Sequence, residues 1–432
     1  MDLKKLPKSR LGRFARLAAL GTRAGTGQLA SLLGSKKAQQ AVAEAAVDSL
    51  GAMRGLALKV GQMVSYVDGM VPEEHRDTYE QALKTLRAAA PTMSPAGAVR
   101  VIEAELGGPP EELFATWEPE PFASASIGQV HRARTRDGAD VAVKVQFEGI
   151  AKAVEADLAN ASLMGSLLGP LGNRFGVKEQ LAEVRARFLE ELDYRHEAAR
   201  QMQFREVFAD DPEIRIPEIH DELCARRVLT SSFAPGVDFE QACAADVDQR
   251  RRWAETLWRF VFSSLLTKGL FNADPHPGNY LFEPDGVVTF IDFGCTRVLS
   301  RDSLRLVRRC HDRCCQGDLS AFFATALEMF AMPAQGPAAD LARDFMHLCF
   351  APISTQGRYH ITRPYAASLL DTLRQNATKA LRGGLGDLQP MPAEWIFFNR
   401  LQFGFYSVLA RLDVAADYNA IERRLVSAPP RS

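Results

Sequence analysis

Hydrophobic and polar positions change period several times along the chain, and each change marks a boundary. Residues 41–67 (AVAEAAVDSLGAMRGLALKVGQMVSYV) are rich in Ala, Leu and Met and broken only by glycine, which predicts a helix. Pro72, with Glu73 and Glu74, opens a second helical segment to about Ala90, which Pro91 and Pro95 close. A third runs over 95–106 and stops at Gly107-Gly108-Pro109-Pro110. The period then shortens. IGQVHRAR (127–134) and DVAVKVQF (140–147) read as β-strands, and Asp137-Gly138 between them predicts a hairpin. Helical stretches follow at 152–168 and 178–208, separated by Gly169-Pro170 and Gly172. RRVLTSSF (226–233) reads as a further strand ended by Pro235-Gly236. Beyond Asp246 the pattern is helical, apart from a β-like passage, NYLFEPDGVVTFIDFG (279–294). Helices, then a small sheet with an inserted helix, then a larger helical half predict an α+β fold with two lobes. The expected divisions are a basic segment 1–40, a helical extension 41–110, a small lobe 111–233 and a helical lobe 234–432.

Composition narrows the classes. With 47% hydrophobic and 24% charged residues, the 432-residue chain is too apolar to be disordered as a whole. Lys and Arg number 52 against 53 Asp and Glu, a net charge of -1, so no global field favours nucleic acid as partner. Seven cysteines without paired spacing read as the reduced thiols of a cytoplasmic protein. No stretch reaches the ~18 unbroken apolar residues of a spanning helix. The best candidate, 395–412, carries Asn399, Arg400, Gln402 and Arg411 and reads as a buried core helix. No apolar segment of the secretory kind follows the first basic residues. Residues 1–40 nevertheless hold nine Lys or Arg against the single Asp2. Leu11, Phe14, Leu17 and Ala18 share one face of a short helix there, flanked by Arg10, Arg13 and Arg16. That pattern suits peripheral contact with an anionic membrane; a solvated basic terminus is the alternative.

The chemistry concentrates in Asp274-Pro275-His276-Pro277-Gly278-Asn279, followed by Ile291-Asp292-Phe293-Gly294. Phosphoryl transfer needs a carboxylate near the acceptor oxygen and oxygen ligands for Mg²⁺. Protein kinases supply a catalytic-loop Asp, an Asn five positions later, and the Asp of a DFG beyond a short hairpin. Asp274, Asn279 and Asp292 repeat that order, with LFEPDGVVTF forming the intervening hairpin. His276 stands where a kinase loop carries a phosphate-facing Lys, and it either donates to phosphate or is a loop histidine held between prolines. Asn272-Ala273 replaces the usual His-Arg ahead of Asp274, and no A-P-E segment follows Gly294. Val141-Ala142-Val143-Lys144 matches the strand whose lysine pairs with the α/β-phosphates. Its carboxylate partner is expected on the 178–208 helix, where Glu190, Glu191, Asp193 and Glu197 lie and Asp193 and Glu197 share a face. Where a G-x-G-x-x-G loop would stand the chain has Ala123-Ser124-Ala125-Ser126, so nucleotide must be cradled differently there, with the Ser124 and Ser126 hydroxyls as candidates. Cys310, His311, Cys314 and Cys315 lack a second ligand pair at zinc spacing and read as buried thiols on a helix.

This set resembles the UbiB (AarF-type) atypical kinases of the protein-kinase-like superfamily. The K-x-G-Q motif of that family matches Lys59-Val60-Gly61-Gln62, its alanine-rich loop matches residues 123–126, and its E-x-D matches Glu191-Leu192-Asp193. Glu197 matches the helix glutamate that holds the strand lysine, and the DPHPGN loop is present unchanged. The resemblance spans about residues 40–300. It implies a bilobal protein-kinase-like fold whose helical N-terminal extension covers the peptide groove, with Lys59 and Gln62 reaching toward Glu191, Asp193 and the nucleotide. It further implies ATP or ADP with Mg²⁺ held by Asn279 and Asp292, and adenine held by hinge backbone at Ser232 and Ala234. Lys144, Asp274 and His276 would then be catalytic. A link to ubiquinone biosynthesis and to lipid or quinone-precursor ligands comes with the resemblance, as does ATP hydrolysis in preference to phosphorylation of proteins in trans. The hinge segment 228–233 departs from the family in lacking an acidic residue. A nucleotide-sensing scaffold and an aminoglycoside-type small-molecule kinase are the rival readings.

Overall fold

A computed structural model describes residues 93–125, 127–152, 190–382 and 393–427. The expected helices at 41–67 and 72–90, the segment 153–189, Lys59, Gln62 and Ser126 lie outside the described residues.

The first described helix, α1 (Pro95–Leu106), keeps its predicted bounds because both ends are written in the sequence. Ser94 caps it by accepting from Gly97 N at 3.2 Å, Pro95 opens it, and Gly107 at φ 82° ends it. The chain then builds strands β1 (Thr116–Trp117), β2 (Ala123–Ser124), β3 (Gly128–Arg134) and β4 (Asp140–Gln146). β3 and β4 form the expected antiparallel hairpin, which turns through Gly138 at φ 94°. Val141, Val143 and Val145 pack against Val101, Ile102 and Phe114, so α1 covers that face of the sheet. Strand alternation sends Ala142, Lys144 and Gln146 to the opposite face. Helix α2 (Tyr194–Val207) packs on that side.

Here the structure corrects the sequence reading. The predicted 178–208 helix does not run unbroken through Asp193, which sits at φ -125°, ψ 98° as the N-cap of α2 and accepts from Arg195 N at 3.1 Å. A short acidic side chain that can bond nearby backbone amides competes with helix continuation, and here it wins. Asp193 and Glu197 therefore do not share a continuous helical face.

β5 (Ile214–Arg215) and β6 (Val228–Ser232) follow, and β6 completes the five-stranded sheet beside β4. The helical lobe is organised around α3 (Val247–Lys268), capped by Asp246 and ended by Gly269 at φ 67°. Short strands β7 (Leu270–Asn272), β8 (Tyr280–Phe282), β9 (Val288–Phe290) and β10 (Thr296–Val298) carry the loops between them, with β8–β9 as the predicted hairpin and β7–β10 antiparallel. Helices α4 (Arg301–Gln316), α5 (Leu319–Met329), α6 (Pro337–Ser354), α7 (Arg363–Arg382), α8 (Ala393–Leu412) and α9 (Tyr418–Ser427) complete it. Trp258 of α3 is buried against Tyr418, and its Nε1 donates to Glu422 Oε1 at 3.1 Å. The other oxygen of Glu422 lies 3.1 Å from His311 Nδ1. Cys310, Cys314 and Cys315 are buried on α4, as expected, and burial pushes their thiols up. The later half of α8, from Leu401 to Leu412, is core. Among the described residues no helix is long and apolar enough to cross a membrane.

Candidate functional site

Between the lobes, the alternation of β4 points Lys144 at α2. Its Nζ donates to Glu197 Oε1 at 2.8 Å and Oε2 at 3.0 Å, and Asp292 Oδ2 lies 3.8 Å away. The ring of Tyr194 sits below, with its centroid 4.9 Å from Nζ. Burial alone would lower the lysine pKa, but the Glu197 and Asp292 carboxylates outweigh it and hold the ammonium above the usual lysine range. Lys144 therefore stays charged. Glu197 occupies the first turn of α2, so the Asp193 cap fixes the position of the brace.

The second half of the site hangs on β7 and the β8–β9 hairpin. Pro277–Asn279 forms a 3-10 turn, and Ile291 N donates to Asn279 O at 3.1 Å, which sets Asn279 beside the segment leading to Asp292. Asn279 Nδ2 donates to Asp274 O at 3.0 Å, turning its Oδ1 the other way. Gly294 N donates to Asp292 Oδ1 at 3.0 Å, and Oδ2 is the oxygen facing Lys144. An amide oxygen and a carboxylate oxygen are donor types that Mg²⁺ takes, with phosphate and water completing its shell. His276 Nδ1 accepts from Gly278 N at 2.9 Å, which ties the ring into the loop, and in its neutral form the ring carries its proton on Nε2.

Two supports were not legible in the sequence. Asn272 Nδ2 donates to Asp292 O at 2.7 Å while its Oδ1 accepts from Asp274 N at 3.0 Å, stapling the two acidic segments together. Its position two residues before Asp274 was the signal, masked by comparison with a His-Arg it replaces. The second is Gly404 of α8, where an added Cβ would lie 2.7 Å from Pro275 Cγ. Only glycine lets the helix reach the loop so closely.

Within the alanine-rich segment, Ala123 and Ser124 form a short strand. Ala123 and Ser124 pair with Val130 and Gln129, and Ala125 N donates to Gly128 O at 2.9 Å. Phe122, exposed beside it, tilts against Phe233 at 5.7 Å. Ser232 ends β6 opposite Val141, three residues and so about 10 Å along the strand from Lys144, with Ala234 just beyond. Both also border an open cleft of about 820 Å³ on the α2 side of the hinge, away from Asp274. Glu191 is half-buried near Tyr194. Asp193 is taken by Arg195, whose Nε and Nη2 donate to it at 2.9 and 2.6 Å, and this holds its carboxyl below the usual range.

A family model described as the ABC1 atypical kinase-like domain matches residues 85–324, more than half of the chain. The chain belongs to the ABC1 atypical kinase family. Among curated ABC1 relatives, the mitochondrial atypical kinase COQ8B of Rattus norvegicus is 32% identical over 313 residues, 69% of this chain and 59% of that protein. The chloroplastic ACTIVITY OF BC1 COMPLEX KINASE 7 of Arabidopsis thaliana is 35% identical over 244 residues, 55% of this chain and 34% of its own. The chain thus spans between a third and six-tenths of the length of these relatives. A solved structure, described as the complex of Rv3197 with erythromycin from Mycobacterium tuberculosis, matches with a TM-score of 0.62 and 27% identity over 93% of this chain and 99% of that one. The likeness in fold to that structure therefore extends beyond residue 324 into the helical lobe, and the fold is bilobal and kinase-like.

Proposed function

We propose that this ABC1 chain binds ATP or ADP with Mg²⁺ and acts as an atypical kinase or ATPase. The observation that carries the reading is the bidentate Lys144–Glu197 pair ending 3.8 Å from Asp292. A lysine with two carboxylates on one side is a phosphate clamp once Mg²⁺ occupies one of them. In this reading Lys144 orients the phosphates, and adenine rests against hinge backbone at Ser232 and Ala234. Asn279 and Asp292 would hold Mg²⁺, which when bound neutralises charge on the transferring phosphoryl group. Asp274 positions or deprotonates the acceptor, and His276 donates its Nε2 proton to phosphate. Lys59 and Gln62 of the extension would reach toward Glu191, Asp193 and the nucleotide, as the resemblance implies. The acceptor is water or a lipid-like hydroxyl such as a quinone precursor, with residues 1–40 holding the protein at an anionic membrane surface. The link to ubiquinone biosynthesis rests on the family resemblance.

A phosphate-release assay on Asp274→Asn tests the reading. Turnover falls by ~10²–10⁴-fold, the range for a lost general base, while ADP binding persists. Wild-type turnover in that variant would remove Asp274 from the reaction. The second reading, a nucleotide-sensing scaffold, is favoured by one observation: Ala125 N is already engaged by Gly128 O, so that amide does not offer itself to phosphate. The scaffold predicts nucleotide binding without measurable phosphate release, with or without anionic vesicles.

A further inference from the structure

Around Gly128, two buried polar atoms have no hydrogen-bond partner among the described residues: the Tyr194 hydroxyl and Gln146 Nε2. Both residues are 1% exposed. Native proteins seldom leave such groups unpaired, and a position that needed only packing would carry Phe and Leu. The two flank one residue. Gly128 is the register partner of Gln146, and a Cβ added to Gly128 would lie 2.9 Å from Tyr194 Oη and collide with the Val145 carbonyl. By strand alternation Gln146 lies on the same side of the sheet as Lys144, and the Tyr194 ring already packs against that ammonium. The catalytic loop described above uses neither group.

We propose that Tyr194 Oη and Gln146 Nε2 are a donor pair for a phosphate oxygen of the nucleotide bound against Lys144. The proposal rests on the nucleotide-binding reading of the site and adds a phosphate subsite to it. The amide nitrogen and the ammonium can only donate and the phenol can donate, so the missing partner is rich in lone pairs. The adjacent positive charge makes it an anion, and a phosphate oxygen satisfies more than one donor at once. Glu197 is already engaged by Lys144, and Asp292 is the residue assigned to Mg²⁺, so neither carboxylate fills the role.

The test uses the full chain with Tyr194→Phe and, separately, Gln146→Met, titrated with ADP and ATP by calorimetry, plus melting temperatures with and without ADP. Each variant is expected to bind both nucleotides on the order of tenfold more weakly, the effect of losing a hydrogen bond to a charged group. The ligand-free melting temperature is expected to hold or rise, because an unpaired buried donor has been removed, while the ADP-induced shift shrinks. A purely structural role would do the reverse, lowering the ligand-free melting temperature and sparing the ADP shift. Affinities within twofold of wild type in both variants assign the pair to a trapped water and overturn the proposal. If the wild-type chain binds neither nucleotide, the reading of the whole site fails instead, so the two failures are distinguishable.

Discussion

Asn272 shows what single side chains do in this site. Its amide holds the Asp292 carbonyl and the Asp274 amide, so one residue sets the spacing of both acidic segments. Asn272→Ala is expected to lower phosphate release by about 10–100-fold, since small misplacements of reacting groups are costly. ADP affinity should change little, and a turnover equal to wild type would show that the staple is dispensable. Lys144 bears on pH. Its folded-state pKa is raised above the unfolded value, so its contribution to stability is complete below the ordinary lysine range and is lost only as pH rises through the folded value. Nucleotide affinity should therefore be flat from pH 7 to 9 as far as this group is concerned. A titration showing Lys144 losing its proton in that window would contradict the ion-pair geometry. At this scale the sequence was most legible where spacing carries chemistry: Asp274, Asn279 and Asp292 sit in loops whose separations are dictated by the hairpin. Tyr194 and Gln146 are not legible in the sequence, because an unpaired buried atom is a property of the folded chain alone.

At the scale of elements, ends were harder to read than bodies. The bounds of α1 and the β3–β4 hairpin follow from Ser94, Gly107 and Gly138, whose preferences are local. The start of α2 does not, because the helical pattern read over 178–208 continues through Asp193, which the backbone uses as a cap. Asp193→Ala is expected to cost about 1 kcal/mol in urea unfolding, the usual worth of an N-cap. It should also weaken nucleotide binding, because Glu197 rides on the first turn that the cap secures. Unchanged stability would mean that neither the cap nor the Arg195 pair secures this end.

Across the whole molecule, coupling runs from the C-terminal helices into the site. Glu422 is fully buried and satisfies both Trp258 and His311, joining α9 to α3 and α4. Glu422→Ala leaves two buried polar groups without their acceptor and is expected to destabilise the helical lobe by about 2–4 kcal/mol, measured by thermal or chemical unfolding. The pattern of residues 395–412 identified a core helix but gave no sign of where it would press, since contact between residues 129 positions apart follows from packing alone. The seat of Pro275 against Gly404 has a further consequence. During translation Asp274, Asn279 and Asp292 leave the ribosome well before residue 404, so the acidic loop is complete as a string long before anything stands behind it. A nascent chain halted in the 390s would own every charged group of the reaction and still lack the wall that sets one of them at its working height.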